Sequence, residues 1–437
     1  MFVIITCLLA LLYALIVIYA YRHNNLLGIL PTLSWLAFMV APFLFSFKYF
    51  DLRSTYYQLI GITLIGLALI LGDLYCVSKQ SKRVDTEYRK IDVSTKFLIV
   101  ISLFVVLVPI MHLILAGNSP LFDLIFSDRS KNEISNERAL YSKFEISYIF
   151  SILSNLTINI FMPILLAMQI YYKKYYLFIV TLIYAVIYAL NSTAKLPFIS
   201  LIFAVVIVLG STVLSKYKRV IGLLAIACFG LTILSGVLFG NVMIKNKELC
   251  SMPMNINDSP ANISRSCPEN LNLGINPVIN TIGYRVFLTP VEVSNHWYEF
   301  FLDDQNSFRG VQSLLERDTY KKTANIIGIK YYKEPFPNSY GSSIGAYSSI
   351  DADAFSFGGL GIVAIVSLLL LLIRIYVGVS KNNSPPITKV LEALSLNLII
   401  ILPFSASIQA ILLPQGLMLL LFSIFFLRNF KSKKVRT

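Results

Sequence analysis

The sequence predicts an all-α polytopic integral membrane protein with about 11 transmembrane helices and one large, partly helical loop outside the membrane. The 437-residue chain is 56% hydrophobic and only 14% charged, which is typical of membrane proteins. Apolar runs near the ~20 residues that a helix needs to cross hydrocarbon recur along it. One long polar stretch, residues 245–353, interrupts these runs.

Each apolar run is expected to be a helix, because in lipid the backbone must satisfy its own hydrogen bonds within one segment. Several runs, such as 2–20 and 220–243, contain no Asp, Glu, Lys or Arg. The last two runs are predicted to form a tight hairpin through the Pro-Gln-Gly turn at 414–416. The predicted spans are 2–20, 26–47, 55–77, 97–116, 146–172, 175–190, 196–214, 220–243, 355–376, 391–409 and 412–428.

These spans divide the chain into three parts. Residues 1–243 contain eight spans and a short helical loop at 117–145. Residues 244–354 form the large loop, which is too polar to lie in lipid. Residues 355–437 contain the last three spans and a basic tail.

The distribution of basic residues predicts the orientation. The formal net charge of +14 would suit a nucleic-acid partner, but the charges alternate between loops as membrane topology requires. Twenty Lys and Arg lie in one set of loops and the tail, and the short loops on the other side contain seven. The positive-inside rule places the twenty in the cytoplasm. The large loop and the N-terminus then face outward, the C-terminus faces the cytoplasm, and no nucleic-acid partner is expected.

Cysteine usage is compatible with an outward loop. Cys250 and Cys267 both fall in the large loop, where a disulfide between them would contribute ~3 kcal/mol in an oxidising compartment. The alternative is that both remain free thiols. No second Cys or His pair stands at ligand spacing, so the sequence predicts no metal site and no cofactor.

The spans carry little charge. Asp73 and Arg374 are expected near the cytoplasmic ends of their spans, where long side chains can reach the interface. No internal repeat or matching pair of broken helices is found. These features argue against a secondary transporter.

The large loop turns from coil to helix at Thr281. One face of this helix is expected to carry Phe287, Val291, Ser294, Tyr298 and Phe301. The other is expected to carry Arg285, Glu292, His296, Glu299 and Asp303. Pro290 is expected to kink or split the helix.

Six outward cations are natural partners for phosphate, because arginine offers a bidentate fork and lysine a point charge. The alternative is that they are solvated loop charges or contact lipid headgroups. The six are Arg129, Arg138, Lys195, Arg285, Arg309 and Arg317.

Proton transfer has three candidates. His296 lies outside the membrane near carboxylates and can titrate near neutral pH. Glu299 and Asp353 are the alternatives, and Asp351 shares the mouth of a span with Asp353 as a substrate-binding candidate. The other interpretation is an interface histidine beside Trp297 and carboxylates without a role in substrate binding.

Several motifs in this layout resemble the bacterial O-antigen polymerases, the Wzy family of oligosaccharide repeat unit polymerases. Arg317 is followed by Gly328 at a spacing similar to one in that family and in the related O-antigen ligases. The other matching pieces are Phe122-Asp-Leu-Ile-Phe-Ser-Asp-Arg129, Arg138-Ala-Leu140, Thr193-Ala-Lys195-Leu-Pro197-Phe198, Tyr284-Arg285-Val-Phe287 with Pro290, and Asp351-Ala-Asp353-Ala-Phe-Ser-Phe-Gly-Gly-Leu-Gly361.

The resemblance implies a glycosyltransferase of the bacterial inner membrane with a periplasmic site. A glycan chain on undecaprenyl pyrophosphate would move onto a sugar hydroxyl of a lipid-linked repeat unit. Such a reaction needs cations for the leaving pyrophosphate, a base for the hydroxyl and a groove open to lipid. Because arginines can stabilise the leaving group, no metal is required. Aromatic residues could stack on sugars or serve only in packing: Trp297, Tyr298, Tyr331, Tyr332, Tyr340 and Tyr347.

The implied partners are the undecaprenyl-pyrophosphate-linked oligosaccharide, membrane lipid and, as a candidate, a chain-length regulator protein. One alternative is an O-antigen ligase that transfers the glycan to a lipid A core. The alternative from another class is a polysaccharide flippase or transporter.

Overall fold

The structure is a computed structural model. It describes residues 2–23, 26–47, 50–81, 95–116, 148–191, 201, 205, 289–303, 305–316, 319–332, 348–378, 386–400, 402–403, 407–412 and 416–429. Every regular element within these ranges is helical, and none is a strand. The predicted all-α class is therefore confirmed.

The α-helices, numbered in chain order, begin and end as follows: α1 Phe2–Arg22, α2 Leu30–Trp35, α3 Ala41–Ser46, α4 Leu52–Ser81, α5 Thr95–Ala116, α6 Tyr148–Leu156, α7 Met162–Tyr171, α8 Tyr175–Asn191, α9 Thr289–Leu302, α10 Thr319–Tyr332, α11 Ile350–Ser356, α12 Leu360–Gly378, α13 Pro386–Ile400, α14 Ile408–Leu412 and α15 Leu417–Asn429. Short 3-10 turns cover Leu26–Ile29 and Val311–Leu315.

Membrane character is visible in helix length and in the outward faces. Within the described ranges, three helical segments are long and apolar enough to cross a membrane: Leu52–Ser78, Ile152–Ile170 and Leu360–Gly378. Large apolar side chains cover the outside of several helices, as in Leu11, Leu107 and Leu372. Such a continuous apolar surface suits lipid rather than water. The count of eleven spans stays a prediction, and the spans 196–214 and 220–243 fall almost wholly outside the described residues.

The predicted span 391–409 is not one helix. Helix α13 ends at Ile400, a turn follows at Leu402 and Pro403, and the short helix α14 begins at Ile408. Pro403 accounts for the break, because proline lacks an amide proton and disfavours a helical residue before it. The last span is correspondingly shorter than predicted, since α15 begins at Leu417 rather than 412.

A glycine starts this last helix. Gly416 adopts a positive φ of 84°, which glycine tolerates without steric cost. A Cβ at this position would also clash with Ile160 and Leu156. The start of α15 therefore packs closely against the middle of the helix that covers residues 148–171.

Two prolines explain the two π-helical segments. The π segment Leu36–Val40 lies two residues before Pro42, and Thr157–Phe161 lies two residues before Pro163. A proline inside a helix cannot donate to the carbonyl four residues earlier and collides with it. A wider turn just before the ring removes that conflict, so both long apolar helices continue through their prolines.

Helices α4 and α12 pack side by side and run in the same direction. Gly61 of α4 lies against Tyr298 and Asp351, which precede α12. Further along, Gly72 lies against Arg374, and the Cys76 thiol donates to the Arg374 carbonyl at 3.4 Å. We call the end with Leu52 and Leu360 the loop end, and the other end the distal end.

Asp73 and Arg374 form a buried ion pair near the distal end. The Arg374 Nε donates to Asp73 Oδ1, and only 4% and 1% of the Arg374 and Asp73 side chains are exposed. Thr32 donates its amide (3.0 Å) and its hydroxyl (2.7 Å) to Asp73 Oδ2. Arg374 Nη2 donates to the Gly28 carbonyl at 2.6 Å. The prediction that these charges reach the interface is wrong, because each is satisfied inside the helix bundle.

The polar stretch contains a hydrophobic core of its own. Helices α9, α10 and α11 enclose Trp297, Phe301, Ile327 and Phe355, together with Val363 at the start of α12. We call α9, the 305–316 segment, α10 and α11 the loop unit. Its core adjoins the loop end of α4 and α12, so the unit is fixed to these two apolar helices.

Candidate functional site

Helix α9 is the scaffold of the site. The predicted shared face is buried where the structure describes it, at Val291, Ser294, Tyr298 and Phe301, but residues on other faces, such as Val293 and Trp297, are buried as well. Glu292 is buried as well, contrary to the predicted polar face. Pro290 is the second residue of the described helix, where a proline is tolerated. No kink is therefore needed within Thr289–Leu302.

Three polar side chains attach α9 to α4. Gln58 Nε2 donates to the Val291 carbonyl at 2.9 Å. Asn295 Nδ2 donates to Gln58 Oε1 at 2.8 Å, and the Ser54 hydroxyl donates to Asn295 Oδ1 at 3.0 Å. All three side chains are buried. Because each polar atom in this chain of contacts has a partner, the network fixes the rotation of α9 on the membrane helix.

His296 and Glu299, one helical turn apart on α9, form a half-buried pair. His296 Nδ1 lies 3.3 Å from Glu299 Oε2, and 16% and 39% of the two side chains are exposed. The imidazole stacks on the Tyr331 ring at 4.3 Å with an interplanar angle of 16°. When Nδ1–H donates to Glu299, the neutral imidazole has its proton on Nδ1. Its basic lone pair is then on Nε2. The stacking holds the ring in this orientation.

Charged neighbours surround the pair. Lys330 Nζ lies 3.0 Å from Asp303 Oδ2, and both side chains are substantially exposed. The hydrogen bond from Lys330 lowers the pKa of Asp303. Burial, followed by the charges of Glu299 and Asp303, raises the pKa of the Tyr331 phenol. Tyr331 is therefore a neutral platform for the imidazole.

Asp351 lies in a buried hydroxyl cluster. Ser349 Oγ donates to Asp351 Oδ1, and the Tyr298 hydroxyl donates to Oδ2 at 3.3 Å. Ser294 Oγ lies 2.6 Å from Ser349 Oγ and extends the cluster into α9. Burial raises the pKa of Asp351 to about 6, against the hydrogen bonds that lower it. The Tyr298 hydroxyl occupies the place that a Cβ on Gly61 would take.

Asp353 and Arg309, two of the predicted site residues, form a buried ion pair. Arg309 Nη1 lies 2.7 Å from Asp353 Oδ1, with 5% and 0% of the side chains exposed. The same nitrogen donates to Ser356 Oγ at 3.0 Å. The Ile408 amide donates to Asp353 Oδ2 at 2.7 Å. Burial raises the pKa of Asp353, and the charge of Arg309 opposes the rise.

Aromatic rings enclose the Arg309 guanidinium. Its central carbon lies 4.4 Å from the Phe357 ring centroid and 5.8 Å from that of Trp297. Such cation–π contacts stabilise a desolvated cation. Together with the ion pair, they make Arg309 part of the interior of the loop unit rather than an outward cation.

The structure thus brings together two of the predicted sets, His296 with Glu299 and Arg309 with Asp353. Trp297 and Tyr298 are fully buried, so the idea that they stack on sugars is wrong. Tyr331 stacks on His296 instead. Several predicted residues lie outside the described ranges: Arg129, Arg138, Lys195, Cys250, Cys267, Arg285, Arg317, Tyr340 and Tyr347.

Sequence reasoning missed the polar network between α4 and α9. Gln58 and Ser54 stand at the start of an otherwise apolar run, and a polar residue at such a place is a signal of a buried partner. The partner, Asn295, has no signal of its own. Lys330 was also missed, because nothing in the pattern of α10 relates it to Asp303.

Within the described residues, no group of three His, Cys, Asp or Glu is placed to hold a metal ion. In comparisons with known proteins, no family model, no curated protein and no solved structure matches the chain. The chemistry of the site therefore has to follow from its own geometry.

Proposed function

We propose that this chain is a glycan polymerase of the bacterial inner membrane, of the O-antigen polymerase type, with its site on the periplasmic face. The supporting observation is the His296–Glu299 pair on a folded loop unit that packs at one end of two apolar helices. This arrangement offers a base at the membrane surface, where a lipid-linked sugar would lie.

Charge supports the orientation. Because α4 and α12 run in the same direction, the loop unit lies at one end and the segments after Ser81 and Gly378 begin at the other. Those two segments contain Lys82, Arg83, Arg89, Lys90 and Lys381. The positive-inside rule favours the cytoplasm for this distal end. The loop end, with His296, then faces the periplasm, and the basic C-terminal tail faces the cytoplasm.

In the proposed reaction, a hydroxyl of the incoming lipid-linked repeat unit approaches His296 Nε2. The hydroxyl oxygen attacks the anomeric carbon of the growing glycan. The bond from that carbon to the pyrophosphate oxygen breaks, and the hydroxyl proton passes to His296. Glu299 stabilises the imidazolium through Nδ1–H. The donor lipid leaves as its pyrophosphate.

The leaving pyrophosphate requires cations. Arg309 is engaged by Asp353 and two aromatic rings, so we assign it to the architecture of the loop unit. The remaining proposed cations are Arg129, Arg138, Lys195, Arg285 and Arg317. Asp353 can act as a catalytic residue only if it is freed from Arg309. Asp351, proposed to bind substrate, can do so only if its hydroxyl partners move.

The test uses purified protein in liposomes with a defined lipid-linked repeat unit, followed by sizing of the glycan. Wild type is expected to produce a ladder of chain lengths. His296→Ala should lower the elongation rate about 10²- to 10⁴-fold, the usual contribution of a positioned base. Lys322→Ala, an exposed change on α10, serves as the matched control and should leave the ladder unchanged.

Unchanged elongation by His296→Ala would contradict the assignment of the base. A wild-type protein that extends no chain but moves glycan onto a lipid A core acceptor would instead be a ligase. Both reactions use the same donor, so the acceptor in the product distinguishes them.

A further inference from the structure

The segment 305–314 presents an uncharged and partly apolar surface. Its exposed residues include Phe308 and Val311, which are 43% and 56% exposed. The other exposed side chains in this segment are Gln305, Ser307 and Gln312. The one ionic side chain, Arg309, is turned inward to Asp353. A loop in contact only with water does not need to hide its charge and expose its apolar residues.

This surface continues the apolar face of α12. The Phe308 ring lies over Gly359, directly before α12 begins at Leu360. The Arg309 amide donates to the Ser356 carbonyl at 2.8 Å and fixes the segment there. From this point toward its distal end, α12 exposes the apolar side chains of Ile365, Leu368, Leu369 and Leu372. A helix that spans a membrane presents such a face to lipid.

The other side of the segment is equally close to the membrane helices. The 3-10 turn Val311–Leu315 contacts α14, which belongs to the last apolar part of the chain. The segment therefore lies between α14 and the loop end of α12. Its exposed Phe308 is of the type by which interfacial segments contact the boundary between headgroups and acyl chains.

We propose that residues 307–314 rest in the headgroup region of the bilayer, with Phe308 and Val311 in contact with lipid. This placement requires that α12 crosses the membrane, and it is independent of the reaction proposed above.

The test places a tryptophan at the segment and asks what quenches its fluorescence. The two native tryptophans, Trp35 and Trp297, are buried, so their emission is measured in wild type and subtracted. In phosphatidylcholine liposomes with bromine near the headgroup end of the acyl chain, the added emission of Phe308→Trp should fall below its value in liposomes without bromine. Bromine near the chain end should quench it less.

Lys322→Trp, at an exposed position of α10, is the control. Its added emission should respond to dissolved acrylamide and not to brominated lipid. If Phe308→Trp behaves like this control, the proposal is overturned. Should Phe308→Trp fail to fold, Val311→Trp is measured instead, and the same two outcomes decide.

Discussion

The Asp73–Arg374 and Asp353–Arg309 pairs stand at opposite ends of the α4–α12 pair and are built alike. In each, one carboxylate oxygen binds an arginine and the other accepts an amide from the first turn of a helix, Thr32 of α2 or Ile408 of α14. Amides in a first helical turn have no partner within the helix. Each aspartate therefore anchors the start of a helix as well as an arginine.

The difference between the two pairs lies in their sequence surroundings. Asp353 follows a polar stretch with tyrosines and glycines, and it was therefore predicted to take part in proton transfer. Asp73 stands in an apolar run, and its charge was therefore predicted to reach the membrane interface. The geometry favours the same positioning role for both. Proton transfer is therefore better sought at His296 and Glu299, which are partly exposed.

The largest expected effect comes from breaking the distal pair on one side. Arg374→Leu leaves the Asp73 carboxylate buried without its counter-charge, which should destabilise the protein by about 3–5 kcal/mol. Thermal unfolding in detergent should show a strongly lowered midpoint. Arg53→Leu, an exposed arginine on α4, is the control and should change little. A Tm near that of wild type for Arg374→Leu would mean that the pair does not stabilise the bundle.

A somewhat smaller effect is expected at the loop end. Asp353→Asn removes the charge that pairs with Arg309 but keeps an oxygen for the Ile408 amide, so the loss should be about 3 kcal/mol. Elongation per folded molecule should remain close to that of wild type. If Asp353→Asn is stable and elongation is abolished, the two pairs differ in function and Asp353 returns as a catalytic residue.

The smallest effect concerns Asp351, which has hydroxyl partners where the two pairs have an arginine. Its pKa is raised to about 6 in the folded protein from 3.8, so the folded state binds more protons between these values. The stability that Asp351 contributes is present below pH 4 and is lost as the pH rises through 6, at most about 3 kcal/mol in all. Unfolding of Asp351→Asn should lack this part of the pH dependence. An identical pH profile in wild type and variant would contradict the raised pKa.

Much of the fold could be predicted because its signals are local. Apolar runs of spanning length predicted the helices. A period near 3.6 placed Val291, Ser294 and Tyr298 on one face of α9, but it did not predict the burial of most of its other faces. The break after Ile400 was missed, although Pro403 was visible, because the run remains apolar through it. A single proline does not change the periodicity or the mean hydropathy of a run enough to show where the helix ends.

The site was harder to predict, because its contacts join residues far apart in the chain. Arg309 and Asp353 were both selected, but nothing in the sequence showed that they neutralise each other. The pairing of His296 with Glu299 follows from helical spacing, whereas the stacking on Tyr331 depends on how α10 packs against α9. Local patterns select residue types, and tertiary packing decides which of them stay accessible.

Because α4 and α12 run in the same direction, the number of membrane crossings between them is restricted to odd values. If both cross the bilayer, the polypeptide must return to its starting side before α12, so an odd number of crossings separates the two. The five spans predicted between them satisfy this condition, and any topology with four or six is excluded.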